Sequence, residues 1–204
     1  MRGVVELTWH VLNVIGTIAF AISGATVAVQ EEYDILGVYV LSFVTAFGGG
    51  AVRNLLLGLP VSLLWEQQLL FMIVFIVIGL LLIFPKLIIK PWNRWGHLFD
   101  AIGLSAFAIQ GALLAIEAEH SLAAVMIAAT LTGTGGGIIR DLLAGRKPLV
   151  FREEIYALWA ALAGFVIGMG WITQPWMTYL LFLIVVVLRM ISVFYNWRLP
   201  KVHL

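Results

Sequence analysis

Long apolar stretches alternate along this chain with short polar or Pro/Gly-marked segments. A bilayer core of about 30 Å takes about 20 residues of helix. Seven stretches approach that length, at about residues 9–29, 35–57, 68–84, 96–116, 121–143, 155–171 and 176–195. The pattern predicts an all-α integral membrane protein whose residues 1–204 form a single transmembrane domain of seven transmembrane helices. Composition agrees, with 62% hydrophobic and 11% charged residues, against about 25% charged in a soluble domain. With no cysteine, a disulfide framework, a thiol nucleophile and a thiolate metal site are excluded. No basic run interleaved with aromatics points to nucleic acid. No nucleophile, base and oxyanion donor come together, so neither enzyme activity nor a cofactor is expected.

The apolar stretches carry an internal copy. "IGTIAFAISGATVAV" begins at Ile15 and "IGLSAFAIQGALLAI" at Ile102, with nine of fifteen positions identical at an offset of 87. At the same offset, "GGGAVRNLLLG" from Gly48 matches "GGGIIRDLLAG" from Gly135 at seven of eleven positions. His10 falls on His97, Asn13 on Asp100 and Glu66 on Glu153. A shared register of polar residues and glycines marks a duplication. It also argues against reading Arg2 and the first apolar stretch as a signal peptide. Repeat 1 covers about residues 9–87 and repeat 2 about 96–174, and the seventh helix, about 176–195, lies outside both. Three spans per repeat force the second copy to enter from the opposite side, which predicts two inverted three-helix repeats related by an axis in the membrane plane.

Basic residues orient the chain. Lys86, Lys90, Arg94, Arg146, Lys147, Arg152, Arg198 and Lys201 fall on one side if the spans alternate, and Arg2 alone on the other. The positive-inside rule then puts the N-terminus outside and the C-terminus in the cytoplasm. Trp9, Trp65, Trp92, Trp95, Trp171, Trp176 and Trp197 lie near span ends, as in an aromatic belt, whereas Trp159 lies deeper. Glu31, Glu32 and Asp34 read as a solvated acidic loop, and Glu66 and Glu153 as acids that start helices.

The triplets Gly48, Gly49, Gly50 and Gly135, Gly136, Gly137 are the oddest feature. Each glycine costs about 1 kcal/mol in a helix interior relative to alanine. Close helix packing is one use. The other, favoured for a duplicated triplet, is a kink or break that opens carbonyls toward a water-filled path. Two kinked helices, 2 and 5, entering from opposite sides would shape an hourglass. Arg53 and Arg140 share a helical face with their triplets. Either they snorkel to the interface or they line and gate that path. Two bare arginines would repel a cation on that path, so partners are expected among Asp141, Asp100 and the kink carbonyls; Asp141, mated to Asn54, is a local salt-bridge partner or a pore-facing acid. Ser23, Gln110, Thr45, Thr132 and Thr134 are further polar candidates. His97 with Asp100 suggests interfacial hydrogen bonding more than metal binding. Gly24 with Ala28, and Gly111 with Ala115, have the small-xxx-small spacing of tight helix pairs.

Two three-span repeats, each with GGGxxR[ND]LL, plus a seventh span, resemble the trimeric intracellular cation (TRIC) channels. They look most like the prokaryotic members, also labelled UPF0126-type or glycine-transporter-domain membrane proteins. The resemblance implies a homotrimer with one potassium-permeable pore per protomer, sodium being less favoured, surrounded by the lipids of a bacterial inner (plasma) membrane. By position it implies pore kinks at Gly48, Gly49, Gly50, Gly135, Gly136 and Gly137. Pore-lining or gating positions would be Arg53, Asn54, Arg140, Asp141 and Thr134. A secondary transporter of a small solute such as glycine is the alternative, because both classes use inverted repeats and broken helices.

Overall fold

A computed structural model describes residues 2–84, 92–152 and 155–197. Side chains of 2–6, 92–95 and 152 are outside that description, and so are Lys86, Lys90, Glu153, Arg198 and Lys201. Every regular element among the described residues is helical. The helices are α1 (Arg2–Gln30), α2 (Ile35–Leu56), α3 (Gln68–Ile83), α4 (Trp92–Glu117), α5 (Leu122–Leu143), α6 (Tyr156–Gly168) and α7 (Pro175–Phe194). Single turns at Val61–Leu64 and Leu149–Arg152 precede α3 and α6. Among the described residues, five helices are long and apolar enough to cross a membrane: α1, α2, α4, α5 and α7. At 16 and 13 residues, α3 and α6 rise only about 24 and 20 Å. The 155–171 stretch loses its ends to Ile155 at the N-cap and to Gly170, whose φ of 71° closes α6.

Local signals set the helix ends. Asp34 caps α2 by accepting from the Gly37 N–H at 2.7 Å. Past α2, Gly58 turns left-handed (φ 67°) and the Leu59 N–H bonds back to Asn54 O at 2.8 Å. Past α5, Gly145 (φ 68°) lets the Arg146 N–H bond to Asp141 O at 2.8 Å. These αL closures satisfy the last carbonyls of each helix, and they recur at the 87-residue offset.

The core is a set of reciprocal contacts. A methyl on Gly49 would lie 2.5 Å from Thr132 O, and one on Gly136 2.3 Å from Thr45 O. Since 45 + 87 = 132 and 49 + 87 = 136, these are one contact made twice. Gly24 closes on Leu41 O and Thr45, and Gly111 on Ala128 O and Thr132, again as mates. Gly16 meets Phe107, Gly103 meets Phe20, and those two rings face each other at 5.3 Å between centroids. If residue i touches mate j, the mate of i touches the partner of j, which is the signature of a two-fold relation. The axis therefore passes between Phe20 and Phe107 and through the α2–α5 crossing. The small-xxx-small glycines Gly24 and Gly111 thus pack helices within one protomer.

The helical ladder runs unbroken through Gly48, Gly49, Gly50 and through Gly135, Gly136, Gly137, so no break opens carbonyls there. Gly49 and Gly136 bring the two backbones into contact. The members are not equivalent: a methyl on Gly48 meets only the flexible tip of Ile139, and one on Gly50 finds no atom nearer than 3.5 Å.

That difference is measurable. Gly49→Ala and Gly136→Ala should each destabilise the detergent-solubilised protein by about 1–3 kcal/mol, because an overpacked backbone cannot step aside. Gly50→Ala should be neutral or gain up to about 1 kcal/mol from helix propensity. Thermal unfolding of the three variants separates these outcomes; equal effects would contradict the packing assignment.

Candidate functional site

Each arginine of the duplicated motif is buried near the end of its helix, and the two surroundings differ. Arg140, 2% exposed, is held from three helices. Its Nε and Nη2 each lie 2.8 Å from Asp141 Oδ1. Its Nη1 donates to Asp100 Oδ1 on α4 at 2.7 Å and to Ser23 Oγ on α1 at 2.6 Å. Asp141 Oδ2 accepts the Leu149 N–H at 3.0 Å, which ties the following turn to the cluster. Tyr156 of α6 enters the same space: a methyl on Gly137 would sit 3.1 Å from its hydroxyl and 3.7 Å from both Arg140 Nη2 and Asp100 Oδ1. Over the Tyr156 ring, at 4.7 Å, lies the guanidinium of buried Arg189 from α7. Two arginines and two aspartates thus form a neutral buried network, the form in which ionisable groups persist at membrane depth.

Arg53, 7% exposed, has no such partners. Its Nε and Nη2 donate to Asn54 Oδ1 at 3.1 and 3.0 Å, and its guanidinium lies 5.8 Å from the centre of the Trp9 ring. Asn54 Nδ2 donates to Pro60 O at 3.2 Å and Asn13 Nδ2 to Gln67 Oε1 at 3.2 Å. Among the described residues no carboxylate lies within 4.0 Å of Arg53. The guanidinium instead faces a cavity of about 580 Å³, whose wall also includes His10, Glu66, Leu69 and Leu114.

Neither arginine snorkels in the sense of an exposed head group, since both are buried. Asp100 is taken up by Arg140, and among the described residues no three His, Asp or Glu gather as a metal site would. Thr45, Thr132 and Thr134 bond back to carbonyls four residues earlier, at 2.6–2.7 Å. Glu31 is not merely solvated: it pairs with Arg146 at 2.5 Å, whose Nη1 also reaches Gln30 at 2.9 Å. Tyr33 donates to Leu143 O at 2.9 Å beside them, so the α1–α2 and α5–α6 connections share one face. Trp159, expected deep, sits half-buried in the first turn of α6, where its Nε1 donates to Ser192 of α7 at 2.9 Å and its ring neighbours Trp197. Sequence reasoning passed over Arg189 and Tyr156. The available signal for Arg189 was an arginine inside a 20-residue apolar span, which seldom occurs without a partner.

An all-helical integral membrane protein with internally duplicated arginine sites is the class that this fold and these clusters define. The family described as Glycine transporter matches residues 10–86 and again 97–173. The chain is 61% identical over 195 residues to the UPF0126 membrane protein YvgT of Bacillus subtilis, covering 96% of each. It is similar to the crystal structure of a prokaryotic TRIC channel in 0.5 M KCl, with 36% identity, a TM-score of 0.85, and coverage of 95% of this chain and 100% of that one. The TRIC trimeric intracellular cation channel orthologue from Rhodobacter sphaeroides is 29% identical with a TM-score of 0.84, over 92% and 97% of the two chains. The chain belongs to this family of UPF0126 membrane proteins and prokaryotic TRIC channels.

Removing one member of the buried network leaves its partner charged and dry. Asp100→Asn should destabilise the protein by about 3–5 kcal/mol. Glu31→Gln, at the half-exposed Arg146 pair, should cost under about 1 kcal/mol and less in high salt. Unfolding midpoints of both variants at low and high salt test the contrast.

Proposed function

We propose that this chain forms a passive, potassium-permeable channel for monovalent cations, sodium passing less well, with a pore in each protomer of a homotrimer. The observation that carries the reading is the crossing of α2 and α5 at Gly49 and Gly136, with a buried arginine site one turn beyond it on each helix. The path runs from the cavity beside Arg53, past the crossing, to the Arg140 network. With glycine at the crossing, α2 and α5 flex there without breaking their ladders. Asp100 and Asp141 neutralise Arg140, so a cation reaching that end meets no net positive charge. Arg140 and its partners bridge α1, α4 and α5, and the path opens when that bridge loosens. Asn54 and Thr134 flank the path beside the arginines.

All seven helices span the bacterial inner membrane as two inverted repeats, about residues 9–87 and 96–174, with the seventh helix outside them. The short α3 and α6 complete their crossings with the turns that precede them. The N-terminus lies outside and the basic C-terminus in the cytoplasm. Kinship with proteins described as cation channels and as trimeric supports both the transport class and the assembly.

One observation favours a second reading. The matched family is described as Glycine transporter, and the Arg53 cavity holds a guanidinium and the Glu66 carboxylate on one wall. Reconstitution in planar bilayers separates the two. Step-like currents whose reversal potential follows the potassium gradient rather than chloride are expected. Saturable glycine uptake into proteoliposomes without such currents would overturn the channel.

A further inference from the structure

We propose that the cavity beside Arg53 is a binding site for a small carboxylate, which takes the place against the guanidinium that Asp100 and Asp141 fill in the second repeat. The argument comes from the two-fold mates, position by position. Arg140 is neutralised by Asp100 and Asp141, and at the mated positions the first repeat has Asn13 and Asn54. Two carboxylates have become neutral amides while the guanidinium has stayed buried. An arginine held at membrane depth without an anion is expensive, and the Asn54 oxygen offers a dipole where Asp141 offers a charge.

The space around it changes in the same comparison. Tyr156, 2% exposed, packs its hydroxyl into the Arg140 network. Its mate is Leu69, 68% exposed, on the cavity wall. Where the second repeat is filled, the first has about 580 Å³ of room against the guanidinium. Ser23, which accepts from Arg140, is mated to Gln110. Gln110 is fully buried, and neither its Oε1 nor its Nε2 has a hydrogen-bond partner. Leu114, one helical turn further along α4, lines the cavity. Arg53 thus makes no bond to Gln110 matching that of Arg140 to Ser23, and it lines the open cavity instead.

The chemistry selects the ligand class. A guanidinium presents paired N–H donors in a plane that matches a carboxylate. Glu66, which also lines the cavity, repels a singly charged anion less than a dianion. The leucines of the wall accept a short apolar tail. The site stands whether or not ions pass through the protein.

The test uses the purified full-length protein in detergent, with sodium acetate replacing sodium chloride at constant ionic strength. Acetate should raise the thermal midpoint of the wild type saturably. Asn54→Asp rebuilds the acid of the second repeat, so it should melt higher than the wild type in chloride and bind acetate at least about tenfold more weakly, roughly 1.4 kcal/mol. Arg53→Gln should not respond; if it fails to fold, Asn54→Asp decides the matter. A wild type indifferent to acetate, or an Asn54→Asp response equal to it, would overturn the proposal. So would a response to glycine with none to acetate, because an ammonium would then be required.

Discussion

At the centre of the molecule two helices touch with no side chain between them. Gly49 of α2 faces the Thr132 carbonyl of α5, and Gly136 of α5 faces the Thr45 carbonyl of α2. In a membrane, helices gain little from hiding apolar surface from one another, so close backbone approach supplies much of the attraction. The rest of the structure depends on this contact. It lets Phe20 and Phe107 meet across the same axis. Around it, Gly24 brings α1 against α2 and Gly111 brings α4 against α5. The helical ladders remain intact because the glycines are used for proximity.

From that symmetric centre the two ends diverge through a handful of side chains. On one, Asp100, Asp141, Ser23 and Tyr156 enclose Arg140, and Arg189 brings α7 into the cluster. On the other, amides and leucines replace acids and tyrosine, leaving Arg53 beside open volume. A duplicated scaffold thus carries one sealed, neutral network and one arginine beside an open cavity that Glu66 also lines. That difference follows from substitutions at mated positions, while the backbone closures at Gly58 and Gly145 stay alike.

Much of this was legible in the sequence for physical reasons. Apolar length exposes spanning helices, and a fixed offset between rare residues exposes duplication, so the five long helices and the Arg53 and Arg140 pairs could be placed in advance. Asp34, which reads as part of a solvated acidic loop, instead caps α2 through the Gly37 N–H. What stayed hidden depends on tertiary approach. Glycine spacing alone does not separate a break from a backbone crossing, since both need a missing Cβ. Asp100 reads in advance as a partner for the arginines, but that it meets Arg140 is settled only where α5 brings the guanidinium to 2.7 Å. The Glu31–Arg146 pair joins residues 115 apart in the chain. Arg189 has no mate because α7 lies outside the duplication, so the offset that flagged the other arginines passes over it.

The proposed inverted arrangement has the two repeats facing opposite ways across the membrane. Because the chain has no cysteine, single substitutions report on it cleanly. Ser62→Cys marks the connection after α2, and Lys147→Cys the matching connection after α5. A membrane-impermeant maleimide applied to intact cells should label Ser62→Cys directly and Lys147→Cys only after the membrane is opened. Labelling of both from the same side would contradict the inverted arrangement.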